Sequence, residues 1–107
     1  MGTPQPLIRI VRMEFRPDEV ERFLQLFETV KQRIRGFPGC RDLYLLRDDE
    51  QAHVMFTYSV WDDANSLSQY RSSALFRETW KATRALFAAP AQAHSMIQLQ
   101  HIDPPTT

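Results

Sequence analysis

The sequence predicts an α+β domain of the order β-α-β-β-α-β, folded as a four-stranded antiparallel sheet with its helices on one face. Three observations lead there. Segments with the two-residue period of strands alternate with stretches whose apolar residues recur at three- and four-residue spacing. The run Gly36, Phe37, Pro38, Gly39, Cys40 stops one helix and enters a strand, and Trp61 and Asp62 end a strand and open another helix. At 107 residues, 43% hydrophobic and with three glycines, the chain suits a single domain over 1–107, with an ordered core over 7–102.

Leu7 to Phe15 is the first strand, because Val11, Met13 and Phe15 fall on one side and Ile8, Ile10, Arg12 and Glu14 on the other. Pro17 suits a first helical position, Asp18 and Glu19 complement the positive end of the helix dipole, and Lys31, Arg33 and Arg35 complement the negative end. A helix is therefore expected over 17–35, its Val20, Phe23, Leu24, Phe27, Val30 and Ile34 forming a stripe to bury on the sheet. Gly36 is expected to end it in the left-handed conformation. Cys40 to Arg47 and His53 to Trp61 read as two strands of a hairpin around the polar run Asp48, Asp49, Glu50 and Gln51. Asp62 is expected to cap a short helix through Arg71, and Ser72 or Ser73 to cap a second segment with Phe76, Trp80, Thr83 and Phe87 on one face. Pro90 ends this kinked helix, and Ala93 to Ile102 reads as the last strand. The ends, 1–6 and 103–107, are expected to be loose.

Thirteen Lys and Arg balance thirteen Asp and Glu, so no summed charge draws the chain to a polyanion, and nucleic acid is excluded as a general partner. No stretch approaches the roughly 20 apolar residues of a membrane span, and Met1 to Pro6 lacks the pattern of a secretory signal. No membrane partner and a cytoplasmic location are the expectation. One cysteine and three scattered histidines suggest neither a disulfide nor a zinc or haem site.

Helices on one face leave the other uncovered. In the third strand Val54, Phe56, Tyr58 and Val60 make one face, and His53, Met55, Thr57, Ser59 and Trp61 make the other. At about 25 cal/mol per Å² of apolar area, leaving a face with Phe56 and Tyr58 in water forgoes several kcal/mol. A homodimer joined sheet to sheet through Val54, Phe56, Tyr58 and Val60 is the expected remedy.

From Leu7 to Gln100 the chain resembles the antibiotic biosynthesis monooxygenase domain family. The residues that carry the resemblance are Phe37, Pro38, Gly39 and Cys40 before the second strand, Trp61 and Asp62 after the third, and Ser72 or Ser73 followed by Leu75 and Phe76. The resemblance implies a ferredoxin-like subunit paired into a dimeric α/β barrel. It spans quinol oxidases, anthrone oxygenases that need no metal or flavin, and haem-degrading enzymes, so it names no substrate. The haem-degrading branch combines a strand-end tryptophan, which Trp61 matches, with a helical histidine and a first-strand asparagine. Trp80 stands where that histidine would align, the first strand holds no asparagine, and an indole nitrogen is only a donor. No haem, and no other cofactor, is therefore expected.

The cofactor-free branch asks for a flat apolar pocket that binds an electron-rich phenol or anthrone, favours its anion and excludes water. By resemblance that pocket lies between sheet and helices on the Trp61 side of the third strand. Thr57 and Ser59 are small there and leave volume beneath Tyr70, Phe76 and Trp80, and these five are the candidate substrate-binding residues. His94, on the last strand, and Trp61 are the candidate catalytic residues, with His94 as the base.

Each has a plainer role. Trp61 can anchor a strand–helix joint, Trp80 and Phe76 fit a core stripe, Thr57 and Ser59 can hydrogen-bond across the sheet, and His94 can be an exposed histidine with no task. Cys40 reads as a buried filler. Asp48, Asp49, Glu50 and His53 are better explained as a solvated turn than as a metal site. One of Arg9, Arg12, Arg41 and Arg47 could bind an acidic substrate, although pairing with Glu14, Asp42 or a partner subunit is the simpler expectation. Two functions follow: a cofactor-independent monooxygenase acting on an aromatic or quinol-like molecule, and a non-catalytic dimeric domain that binds a small apolar ligand or stabilises a pathway partner.

Overall fold

In the computed structural model, which describes residues 5–106, the alternating first segment forms β1 (Leu7–Glu14). Residues 1–4 and 107 of the ends expected to be loose lie outside the described residues. A turn of 3-10 helix at Pro17–Glu19 leads into α1 (Val20–Arg35), which buries Phe23, Val30 and Ile34. β2 (Cys40–Arg47) and β3 (Val54–Trp61) follow, then α2 (Ala64–Arg71), α3 (Ala74–Arg84) and β4 (Gln92–Ile97). The strands are antiparallel in the order β2-β3-β1-β4.

Several local expectations need correction. Gly36 closes α1 at φ −85°, an ordinary conformation, and the left-handed residue of the joint is Gly39 at φ +89°. A side chain at Gly39 would also run into the Cβ and Oγ of Ser66. Glycine is needed there twice over, for its backbone angle and for the close approach of α2. Asp63, not Asp62, caps α2, its side chain accepting from the Ser66 N–H at 2.8 Å. Asp62 instead holds Arg41 at 2.6 Å across the β2–β3 entrance. The expected kink is a full break, where Ser73 Oγ accepts from Phe76 N–H at 3.1 Å and donates to the Tyr70 carbonyl at 2.6 Å. α3 stops at Arg84, well before Pro90, because Phe87 turns back to bridge Phe15 in an isolated strand-like pair. β4 ends at Ile97 rather than Ile102.

Register sorts the side chains. Leu7, Arg9, Val11 and Met13 of β1 stand opposite Trp61, Ser59, Thr57 and Met55 of β3, and these share the helix-covered face. Ile8 and Ile10 stand opposite Val60 and Tyr58 on the reverse face, with Tyr44 and Leu46 of β2 beside them. The buried residues under the helices form two clusters. One gathers Val30, Ile34, Cys40, Leu67 and Tyr70 around Trp61, and the other Met13, Phe23, Met55 and Leu86 around Phe15.

Candidate functional site

The two clusters do not close on each other. Between sheet and helices lies a cavity of about 440 Å³, with Met13 and Phe23 of one cluster and Ile34, Leu67 and Tyr70 of the other on its wall. Thr57, Ser59 and Trp61 project into it from β3, Tyr70 from α2, and Phe76 and Trp80 from α3. Thr57 and Ser59 bring little bulk to the middle of β3, and the break at Ser72–Ser73 sets α3 at its own angle over the sheet. Those two features leave the volume unfilled.

A chain of aromatic rings runs along the wall from Trp61 to Trp80 and on to Phe87 behind it. Trp61 and Tyr70 stack at 4.9 Å, Tyr70 meets Phe76 edge-on at 5.2 Å, Phe76 stacks on Trp80 at 5.9 Å, and Trp80 meets Phe87 at 5.6 Å. Trp61 is almost fully buried, and its indole N–H donates to Ser59 Oγ at 3.0 Å. That bond fixes the ring plane against Tyr70. Burial, with the neighbouring Cys40 thiol adding to it, pushes the Tyr70 phenol up to about 12, so the group stays protonated at ordinary pH. The Cys40 thiol is itself raised by burial and donates weakly to the Asp42 carbonyl at 3.6 Å.

The six residues Thr57, Ser59, Trp61, Tyr70, Phe76 and Trp80 thus share one cavity. His94 does not join them. It stands opposite Ile10 in β4, on the reverse face, and the neighbour whose side chain reaches the cavity wall is Ala93. With apolar residues on both sides of β4, alternation alone does not decide which side faces the helices, whereas pairing with β1 does. Two charged residues stand on the wall: Arg9, one of the four strand arginines offered for an acidic substrate, and Arg71, which the sequence reading did not single out. Arg9 carried a signal, since it shares the parity of Leu7, Val11 and Met13 on the otherwise apolar side of β1. Arg71 carried none. Of the other strand arginines, Arg12 meets Glu14 at 3.4 Å as expected, whereas Arg41 pairs with Asp62 rather than Asp42. Asp48 Oδ2 accepts from the backbone N–H groups of Glu50 and Gln51 at 3.0 and 2.9 Å, which makes the acidic run a turn.

The family model for antibiotic biosynthesis monooxygenase matches residues 6–82, most of the chain and every strand and helix that frames the cavity except β4 and the end of α3. The chain belongs to the antibiotic biosynthesis monooxygenase family. Solved structures repeat this monooxygenase-family fold at low identity. One described as an antibiotic biosynthesis monooxygenase superposes with a TM-score of 0.82 at 17% identity, covering 88% of this chain and 99% of that one. A candidate antibiotic biosynthesis monooxygenase of Caulobacter crescentus CB15 gives 0.84 at 13%, covering 92% and 93%. A conserved protein of Methanosarcina mazei Go1 gives 0.83 at 17%, covering 86% and 91%. The chain is also 24% identical over 91 residues to an uncharacterized protein of Synechocystis sp., covering 85% of this chain and 62% of that protein's length. No helix among the described residues is long and apolar enough to cross a membrane.

Proposed function

We propose that this member of the family is a cofactor-independent monooxygenase whose substrate is a flat aromatic or quinol-like molecule held between β3 and the two short helices, and that it works as a homodimer. The observation that carries the reading is the cavity itself. Its volume of about 440 Å³ falls within the range of small-molecule sites, and it is walled by stacked aromatic rings with few polar groups. Among the described residues no His, Cys, Asp or Glu lines it, so the wall offers hydroxyls, a phenol and guanidiniums rather than a ligand set for a transition metal.

In this reading Trp61, Tyr70, Phe76 and Trp80 bind the ring system and exclude water, while Thr57 and Ser59 orient its oxygens. The Tyr70 phenol, held neutral, donates a hydrogen bond to a substrate oxygen as it becomes anionic. The substrate supplies the electrons. At an anthrone-type methylene two C–H bonds break, one atom of dioxygen becomes the carbonyl oxygen, and the other leaves as water with the two hydrogens. No outside reductant enters the balance. At a hydroquinone ring C–H, one atom of dioxygen becomes the hydroxyl of a hydroxyquinone and the other leaves as water, the ring's own oxidation to the quinone supplying the two electrons.

An oxygen electrode with a panel of anthrones and hydroquinones tests this: protein-dependent uptake is expected, and Trp61→Phe should slow it about tenfold or more. Saturable binding with no uptake across the panel would favour the second reading, a non-catalytic domain that binds an apolar ligand.

A further inference from the structure

Although the chain as a whole is neutral, the cavity wall carries two cations and no anion among the described residues. Arg9 enters from β1, half-buried, and Arg71 from the last residue of α2, exposed at the rim. Neither meets a carboxylate within salt-bridge distance among the described residues, and Arg9 Nη1 is held by Ser95 Oγ of β4 at 2.9 Å. Burial first, and then the nearby charge of Arg71, pull the Arg9 guanidinium below its usual value. Two like charges on one apolar wall gain most from an anion placed between them.

Beside the cavity runs a second recess of about 460 Å³, which shares Leu67, Arg71 and Phe76 with it and adds the hydroxyl-bearing Ser68, Ser72 and Ser95. The two differ in chemistry: one is an aromatic slot, the other a groove rimmed by serines. Arg71 stands at their boundary, and Ser95 ties Arg9 to the same edge.

We infer that Arg9 and Arg71 form an anion subsite at this boundary, so that the molecule bound here is an aromatic carboxylic acid, its rings in the slot and its carboxylate across the rim. A planar guanidinium matches a carboxylate in shape as well as in charge, which a lysine would not. The inference rests on the ligand-binding role proposed for the cavity and adds the charge of the ligand.

Calorimetric titration with 2-anthracenecarboxylate and with the neutral 2-anthracenecarboxamide separates the two. At pH 7.5 and low salt the acid should bind about tenfold or more tighter than the amide, and the preference should shrink as salt rises. Arg71→Gln, an exposed change that spares the core, should remove most of the preference, and Arg9→Gln the rest, the acid's affinity falling further than the amide's in both. Equal affinity for acid and amide in the unmodified protein, or a preference that survives both substitutions, overturns the anion subsite while leaving the cavity reading in place. Failure of both probes to bind removes the cavity reading, and the subsite with it.

Discussion

Tyr70 titrates from an ordinary value near 10.0 to about 12 in the fold, and the sign of that shift sets a pH window for stability. The folded state holds the phenolic proton more tightly than the unfolded chain does. The stabilisation is fully present below pH 10 and is lost as pH rises from about 10 to about 12, by about 2–3 kcal/mol. Urea unfolding across that range should show the loss, and Tyr70→Phe should flatten it; an unchanged slope in the variant would place the shift elsewhere. Trp61 acts at the same scale. Trp61→Phe removes the indole donor from Ser59 Oγ and leaves a gap beneath Tyr70, at a cost of about 1–3 kcal/mol measured by the same unfolding. Both residues were legible beforehand because they sit in aromatic patterns at element ends. His94 was not, since its strand is apolar on both sides, and neither was Arg71, since a charged residue ending a short helix reads as solvent-facing until the neighbouring recess is seen.

Between elements, the joints decide the cavity's shape. Ser73 Oγ makes two bonds at the α2–α3 break, one to the Phe76 N–H and one to the Tyr70 carbonyl. Ser73→Ala should cost about 1 kcal/mol and let α3 drift toward continuity with α2, so that probe affinity falls more than stability does. The α1–β2 joint is stricter. Gly39→Ala meets both a left-handed backbone, worth about 1–2 kcal/mol, and Ser66, whose Cβ lies 2.5 Å from where the new methyl would stand. Adding Ser66→Gly should recover the steric part of the loss and not the backbone part, so the double variant should melt between the unmodified protein and Gly39→Ala. The glycine–proline run was readable as a helix stop. Which of its glycines takes the positive φ was not, because that depends on how closely α2 passes, a tertiary fact.

At the scale of the molecule, the sheet has one face under helices and one under none. Ile8, Ile10, Phe56, Tyr58 and Val60 share the bare face, and Tyr44, Leu46 and Met96 on the flanking strands are 50%, 49% and 44% exposed. Tyr44 and Tyr58 meet edge-on at 5.8 Å there, an aromatic pair across β2 and β3. This asymmetry was legible in β3, whose residues are apolar in both parities, and it is what the homodimer proposal rests on, together with the pairing common among family members. A stable interface hides about 800 Å² on each partner, and a face spanning four strands offers an area of that order. Sedimentation at micromolar concentration should therefore give twice the chain mass of 12.6 kDa. Leu46→Glu and Tyr58→Glu place charge on the bare face without touching the cavity, so each should raise the monomer fraction while probe binding by the remaining dimer is kept. A monomer in the unmodified protein would mean that the bare face is tolerated in water, and the self-pairing proposal would fall. Loss of probe affinity in step with dissociation would go further, showing that the slot between sheet and helices keeps its shape only while a second subunit holds the sheet from behind.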